Sequence, residues 1–450
     1  MKNALWTLLI ISNISFGATI AVIDSGVDTD HVDLLQNIWM NEFDIPNNSR
    51  DEDGNGYQDD IYGWNFAEQN NLVIDRSYIG TFSNDPYKFF DIQGRQFLGQ
   101  ATEEDKIWLN EKRKDPEFAK EMGKFGNFVH GTHVAGITVK NNFKGKILSV
   151  KLIPTEVKPF IANLKRGTNK NAVPNKGVQE KLLKAALVTL AGEQMKMLEE
   201  ITAYVGNHKS DIANGSFGTG FNQAKMITDN IFKVFFFRKP SKEESDKYAK
   251  FFLDSVIKAG TAMAKAAPNT LLVFASGNDG MNNDIYPTSP TNIQADNVIS
   301  VAATYKYNYL APFSNYGTKT VDVAAPGMLI NSQIPGNEYL KVSGTSQAAP
   351  MVANIASQIK DINPTLTPKE IKMILMGTVD KKSFLSSKVK SSGIVNTLRA
   401  TRAAKLTLRM PVRMAISGAR VSVKDVKTSN LKSDTFPFGI KPLSLIPTFK

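Results

Sequence analysis

The sequence predicts an α/β domain with a largely parallel central sheet and helices on both faces, and three observations carry that prediction. Short apolar runs bounded by turn residues, "TIAVI" at 19–23, "TLLVFA" at 270–275 and "VISVAA" at 298–303, have the character of strands buried on both sides. Between them lie longer stretches with helical spacing of apolar residues. Polar residues stand just past the ends of two of the runs, Asp24 and Asn278, where parallel sheets gather functional groups.

In chain order, Lys2 precedes an apolar run from Ala4 to Ile11, followed by small residues at Ser15 and Gly17. That pattern reads as an export signal over residues 1–17, cleaved near Gly17–Ala18; a first core helix would use the same pattern. A main domain is expected over 18–405. Within it, residues 68–125 read as a polar, weakly periodic insertion and 154–176 as a long surface loop rich in Lys, Asn, Pro and Gly. From Gln179 to Val205, Leu182, Leu183, Ala186, Leu187, Leu190, Leu198, Ile201 and Val205 predict a helix with one apolar stripe. A second helix is announced by Ser241 and Glu244 in capping-box spacing, with Tyr248, Phe251, Phe252, Val256 and Ala259 turned inward. Residues 406–450 form a basic extension. Its alternating "ARVSVKDV" suggests a small β appendage or a segment with too few apolar residues to fold.

Composition narrows the chemistry. The chain has 450 residues, 42% hydrophobic and 22% charged, enough for one large core. It has no cysteine, which excludes a disulfide scaffold and thiol catalysis and leaves Ser, His, carboxylates, Lys or a metal. No second long apolar run suits a membrane span. The net charge is +11, but residues 381–450 carry 15 Lys and Arg against two acids, so the remainder is near neutral. Such a tail suits an anionic surface or simple solvation, and no specific nucleic-acid reading follows.

Three short motifs carry the candidate site. Ser346 lies in "VSGTSQAAP" ahead of a helix of small residues, facing unpaired backbone N–H groups that would stabilise an oxyanion; in isolation it reads equally as a helix cap. His130 lies in "VHGTHVAGI", and Gly131 permits close approach. His133, three residues on, raises a metal reading, but the intervening Glu and a third ligand of zinc motifs are missing. Asp24 lies in "VIDSGVD", where it could orient His130 or open a turn.

The order Asp24, His130, Ser346 is that of subtilisin. On these motifs the chain resembles the subtilisin-like serine proteases (subtilases). The resemblance implies the subtilisin-like fold, a catalytic triad of Asp24, His130 and Ser346, and Asn278 of "VFASGNDG" as oxyanion donor. It implies that Ser216, Phe217 and Gly218 of "ANGSFGTG" form an edge strand that receives substrate, with Ser276 and Gly277 nearby. Protein or peptide substrates follow. Gln347 stands where the family more often has Met, and Ile285 would shorten the primary specificity pocket. The resemblance also implies a pro-domain between signal and catalytic domain. Asp24 follows the expected cleavage point too closely for one, so the expectation is either an N-terminally shortened sequence or another device: a separate chaperone, an inhibitor in trans or the tail after Lys405.

Residues 51–60, "DEDGNGYQDD", resemble half of an EF-hand loop, with Asp51, Asp53, Asn55, the Tyr57 carbonyl and Asp59 as candidate calcium ligands. The twelfth position is Tyr62 rather than Glu, and a solvated acidic turn is the other reading.

Overall fold

Apolar β-branched runs pair side by side at the centre of the molecule. The computed structural model describes residues 17–157 and 176–427. Its strands are β1 (Thr19–Asp24), β2 (Gly63–Asn65), β3 (Lys146–Lys151), β4 (Ile212–Gly215), β5 (Leu271–Ala275), β6 (Val298–Tyr305), β7 (Tyr309–Leu310), β8 (Val323–Pro326), β9 (Ile330–Ile334), β10 (Glu338–Val342), β11 (Asp380–Lys381) and β12 (Gly393–Ile394). The main sheet has the order β11-β12-β8-β6-β5-β4-β1-β3-β2, with β7 beside β6. Its pairings are parallel except β11–β12 and β6–β7. β9 and β10 form a separate hairpin.

The chain builds outward from β1 in both directions, through β3 on one side and β4 on the other. A crevice opens at such a switch point, beyond the carboxyl ends of the strands. The strand that was expected at an edge, β4, is interior, hydrogen-bonded to both β1 and β5. Only its continuation past Gly215 leaves the sheet, and Thr219 there forms an antiparallel bridge with Ser289.

Helices α1 (Asp85–Phe97), α2 (Glu103–Lys112) and α3 (Pro116–Thr138) come next in the chain. The first two lie wholly, and the third in part, in the stretch that looked weakly periodic. Phe89, Phe90, Phe118, Met122, Phe125 and Phe128 form their own aromatic core against Leu340 and Val342 of the hairpin. The spacing 118, 122, 125, 129 is helical, but the intervening charged residues masked it.

α4 (Lys176–Asn207), α5 (Phe221–Phe236), α6 (Lys242–Ala259) and α7 (Thr261–Ala266) cover one face of the sheet. α4 buries Leu183, Leu187, Leu198, Ile201 and Val205 as expected, while Leu182 faces solvent. The capping box of α6 forms between Ser241 and Glu244. α8 (Thr345–Ile362), α9 (Pro368–Gly377), α10 (Thr397–Thr407) and α11 (Val412–Ser422) follow. α3 and α8 cover the opposite face, where Ile20, Val22, Val273 and Val301 meet Val134, Val352 and Ile359.

The expected β appendage is helical instead. Ala415 and Ala419 of α11 are fully buried, a helical spacing that outweighs the short alternation following it. Buried Arg399 fastens the end of this segment by donating to the Val423 carbonyl and to Asp380 and Asp425. Among the described residues no helix is long and apolar enough to cross a membrane. The expected export signal apart from Gly17, most of the 154–176 loop and the tail after Lys427 lie outside the described residues.

Candidate active site

β1 ends at Asp24, whose carboxylate is fully buried. Its Oδ1 accepts from the Ser25 N–H at 2.8 Å and from His130 Nδ1 at 2.6 Å. The approach of α3 to the β1 loop depends on glycine: a Cβ at Gly131 would lie 2.1 Å from the Gly26 carbonyl oxygen. Two further bonds close the seam, Gly131 N–H to Ser25 Oγ at 3.0 Å and Asp28 N–H to Thr132 Oγ1 at 2.9 Å. With Nδ1 engaged, the imidazole presents Nε2, which is buried and has no hydrogen-bond partner.

Ser346 is the second residue of α8. Pro350 lies four residues on and has no N–H to give to the Ser346 carbonyl. Ser216 takes over that bond, its Oγ donating to Ser346 O at 2.9 Å, while Ser346 Oγ donates to Ser216 O at 3.1 Å. Asn214 Nδ2 steadies Ser216 Oγ at 2.9 Å. The nucleophile-type hydroxyl and His130 Nε2 are therefore not hydrogen-bonded to each other in this state.

Asn278 follows β5 through a turn at Gly277, where φ is 109° and a Cβ would lie 2.5 Å from Asn315 Nδ2. The Asn278 Oδ1 accepts from both the N–H and the hydroxyl of Thr345, at 2.9 and 2.8 Å. That fixes the amide and leaves Nδ2 as the donor beside the start of α8. Thr345 was not singled out from sequence, although its place beside Ser346 could have drawn attention to it.

Other expected cleft residues play more structural parts. Phe217 is 2% exposed and packs against Phe274, so its side chain belongs to the core. Ser276 Oγ is buried and donates to the Asn315 carbonyl at 2.9 Å. Gly218 is held against the Ser289 carbonyl, 2.5 Å from where its Cβ would be. Ile285, expected to shorten a pocket, is 58% exposed. His133 Nε2 donates to the Leu340 and Ile330 carbonyls at 2.9 and 3.2 Å, which removes it from a metal role beside His130. Burial pushes its pKa down to about 4, so it stays neutral.

The acidic loop closes on itself differently from the expected pattern. Asp51 and Asp53 accept from the Asn55 N–H at 3.0 Å each, and Asn55 Oδ1 accepts from the Tyr57 N–H at 2.7 Å. Asp59 turns away: at φ 53° its carboxylate accepts from the N–H groups of Asn48 and Ser49. Asp44 takes its place, and carboxylate oxygens of Asp44, Asp51 and Asp53 lie within 4.8 Å of one another. Asp44 Oδ2 is buried without a partner, and desolvation raises that carboxyl's pKa. An all-oxygen cluster with an unsatisfied buried member fits a hard cation such as calcium. Asp53, Asp60 and His208 form a second, mixed group, in which Asp60 also accepts from Asn41 Nδ2 and the Tyr204 hydroxyl.

A profile described as the subtilase family matches residues 15–396. Subtilisin-like protease 1 of Plasmodium vivax is 26% identical over 392 residues, 86% of this chain and 47% of that protein. Subtilisin BL of Lederbergia lenta is 39% identical over 132 residues, 29% of this chain and 46% of that protein. A solved structure of a lanthipeptide protease aligns at a TM-score of 0.49 and 17% identity, over 87% of this chain and 90% of that one. The chain spans about half the length of the curated relatives it matches. On the extent of the profile match, the chain belongs to the subtilase family.

Proposed function

We propose that this chain is an exported serine endopeptidase that hydrolyses peptide bonds through an acyl-enzyme. The observation that carries the reading is the buried 2.6 Å bond from His130 Nδ1 to Asp24, which leaves Nε2 unpartnered and able to take a proton. In this mechanism Ser346 rotates off the Ser216 carbonyl and gives its proton to His130 as Oγ attacks. Asp24 holds the imidazole tautomer and stabilises its charged form. Asn278 Nδ2 and the Ser346 N–H receive the oxyanion. His130 then protonates the leaving amine, and water repeats the sequence to release the acid.

Backbone groups of Ser216 to Gly218, with Ser276 and Gly277 supporting the opposite wall, would hold an extended peptide by strand addition. Calcium at Asp44, Asp51 and Asp53 would neutralise like charges and stiffen the loop between β1 and β2. Export rests on Lys2, the apolar run at Ala4–Ile11 and Gly17.

The test is labelling by a fluorophosphonate probe together with casein hydrolysis. Both should occur in the folded protein and vanish in Ser346→Ala. Labelling that persists in Ser346→Ala, or folded protein that neither labels nor cleaves, overturns the reading.

A further inference from the structure

Ala18 is buried, and its N–H donates to Asp361 Oδ1 at 2.6 Å. The other oxygen of that carboxylate accepts from Asn142 Nδ2 at 3.1 Å. The next N–H, of Thr19, goes to Asp211 Oδ2 at 3.1 Å. Gly17 is pressed against the chain ahead of β3: a Cβ there would lie 2.0 Å from the Lys144 carbonyl oxygen. The first residues before β1 are thus held by two carboxylates and a tight glycine contact.

Asp361 is an awkward residue in its place. It stands in the last turn of α8, where the helix dipole disfavours a negative charge. Its neighbour Lys360 does not compensate it. That ammonium lies 3.5 Å from Asp211 and donates to the Leu366 carbonyl. Lys146 donates to the Gln36 carbonyl. Among the described residues Asp361 makes no ion pair, although its two hydrogen bonds both come from neutral donors.

We infer that cleavage of the Gly17–Ala18 bond supplies the missing cation: the α-ammonium of the mature chain replaces the Ala18 amide N–H and pairs with Asp361. The inference rests on reading residues 1–17 as an export signal. Hydrolysis by the export machinery's endopeptidase consumes one water, leaving a carboxylate on Gly17 and an amine on Ala18 that is protonated at neutral pH. The neutral hydrogen bond becomes a charge-assisted one, which is roughly twice as strong. Processing would thereby fasten β1 to the far end of the helix that begins beside Ser346.

The sign of the pH dependence follows. A free α-amino group titrates near pH 7.7–8.0. Pairing with Asp361, with Asp211 nearby, raises its pKa in the folded chain against the burial of Ala18 and the charges of Lys360, Lys144 and Lys146, and the pair requires the carboxylates to prevail. The stabilisation is complete below the unfolded value and is lost as pH rises through the folded one.

The experiment uses the full chain in a Ser346→Ala background that prevents self-digestion. One form starts at Ala18, and another keeps Phe16 and Gly17 ahead of it; each carries Asp361 or Asp361→Asn. Urea unfolding rates should rise about tenfold with Asp361→Asn in the Ala18 form and about twofold or less in the extended form. The difference should shrink at about pH 10. An equal effect of Asp361→Asn in both forms overturns the pairing.

Should Asp361→Asn fail to fold, an NMR titration of the ¹³C-methylated α-amine in the Asp361 protein decides. A pKa above about 8.0 supports the pair, and an ordinary or lowered one overturns it. Intact mass of the exported protein is read separately. A start other than Ala18 removes the Gly17–Ala18 cleavage point and with it the natural source of the pair, while the Ala18 protein still answers for the pairing itself.

Discussion

Aspartates do opposite things in the crevice and in the acidic loop. Asp24 is sealed at the end of β1 with an imidazole 2.6 Å away, and its charge has a partner built into the fold. Asp44, Asp51 and Asp53 are gathered within 4.8 Å of one another, and they accept from backbone N–H groups and from the side-chain amides of Asn41 and Asn55. The crevice supplies Asp24 with an imidazole from its own residues, although the Asp24 Oδ2 is left without a partner. The loop instead gathers three carboxylates, with His208 beside Asp53. With a cation bound as proposed, the loop would be completed by the solution around it and the crevice by chain geometry alone.

The largest effect should come from the crevice. Ser346→Ala or His130→Ala should lower kcat by about 10⁶, the scale found for the triad serine and histidine in subtilisin. Ser346→Ala should change thermal unfolding little, whereas His130→Ala should lower it by leaving the buried Asp24 carboxylate without its partner. Steady-state kinetics on a peptide substrate checks this, and a loss below about tenfold breaks the assignment. Asn278→Ala comes next, at about 10²–10³ in kcat with KM little changed, again on the subtilisin scale. A change confined to KM would instead mark Asn278 as a ground-state contact.

A third test moves one turn along α3. His133 is neutral in the folded chain, with a pKa of about 4 against an ordinary 6.5. The unfolded chain therefore binds more protons in that window, and stability falls as pH drops from 6.5 towards 4. The difference is worth about 3 kcal/mol. Denaturant titrations of wild type and His133→Gln should diverge at pH 7 and converge towards pH 4. Parallel curves would mean that His133 does not stay neutral.

The smallest effect belongs to the acidic loop. Removing calcium with a chelator should cost about 2.7 kcal/mol if the ion is present at about 100 times its Kd. Asp44→Asn should reduce that calcium dependence, and Asp59→Asn should leave it largely intact. Turnover well below the melting range should change by about twofold or less. Activity that tracked calcium more steeply than stability would erase the distinction between the two regions.

What could be read from sequence follows the same division. Asp24, His130, Asn278 and Ser346 sit in short glycine-flanked motifs whose meaning is local, so they could be singled out before their geometry was known. The parallel sheet was legible too, since β1, β5 and β6 are continuous apolar runs. β3 was not, because "KILSVK" begins and ends in lysine.

The loop's carboxylate cluster was legible only in part. Asp44 comes from outside the motif, and the positive φ of Asp59 redirects a carboxylate that spacing alone aims inward. Ser216's hold on the Ser346 carbonyl was hidden for a related reason. It answers a vacancy created by Pro350, in a different part of the chain.

α3 belongs to two cores at once. It begins at Pro116 among the aromatic side chains of the inserted lobe and delivers His130 about 21 Å further along a single rod, 14 residues on. Heat that softened the lobe ahead of the sheet would therefore disturb the imidazole's aim first. On warming, the proposed activity should then be lost while the chain is still folded, and it should return on cooling.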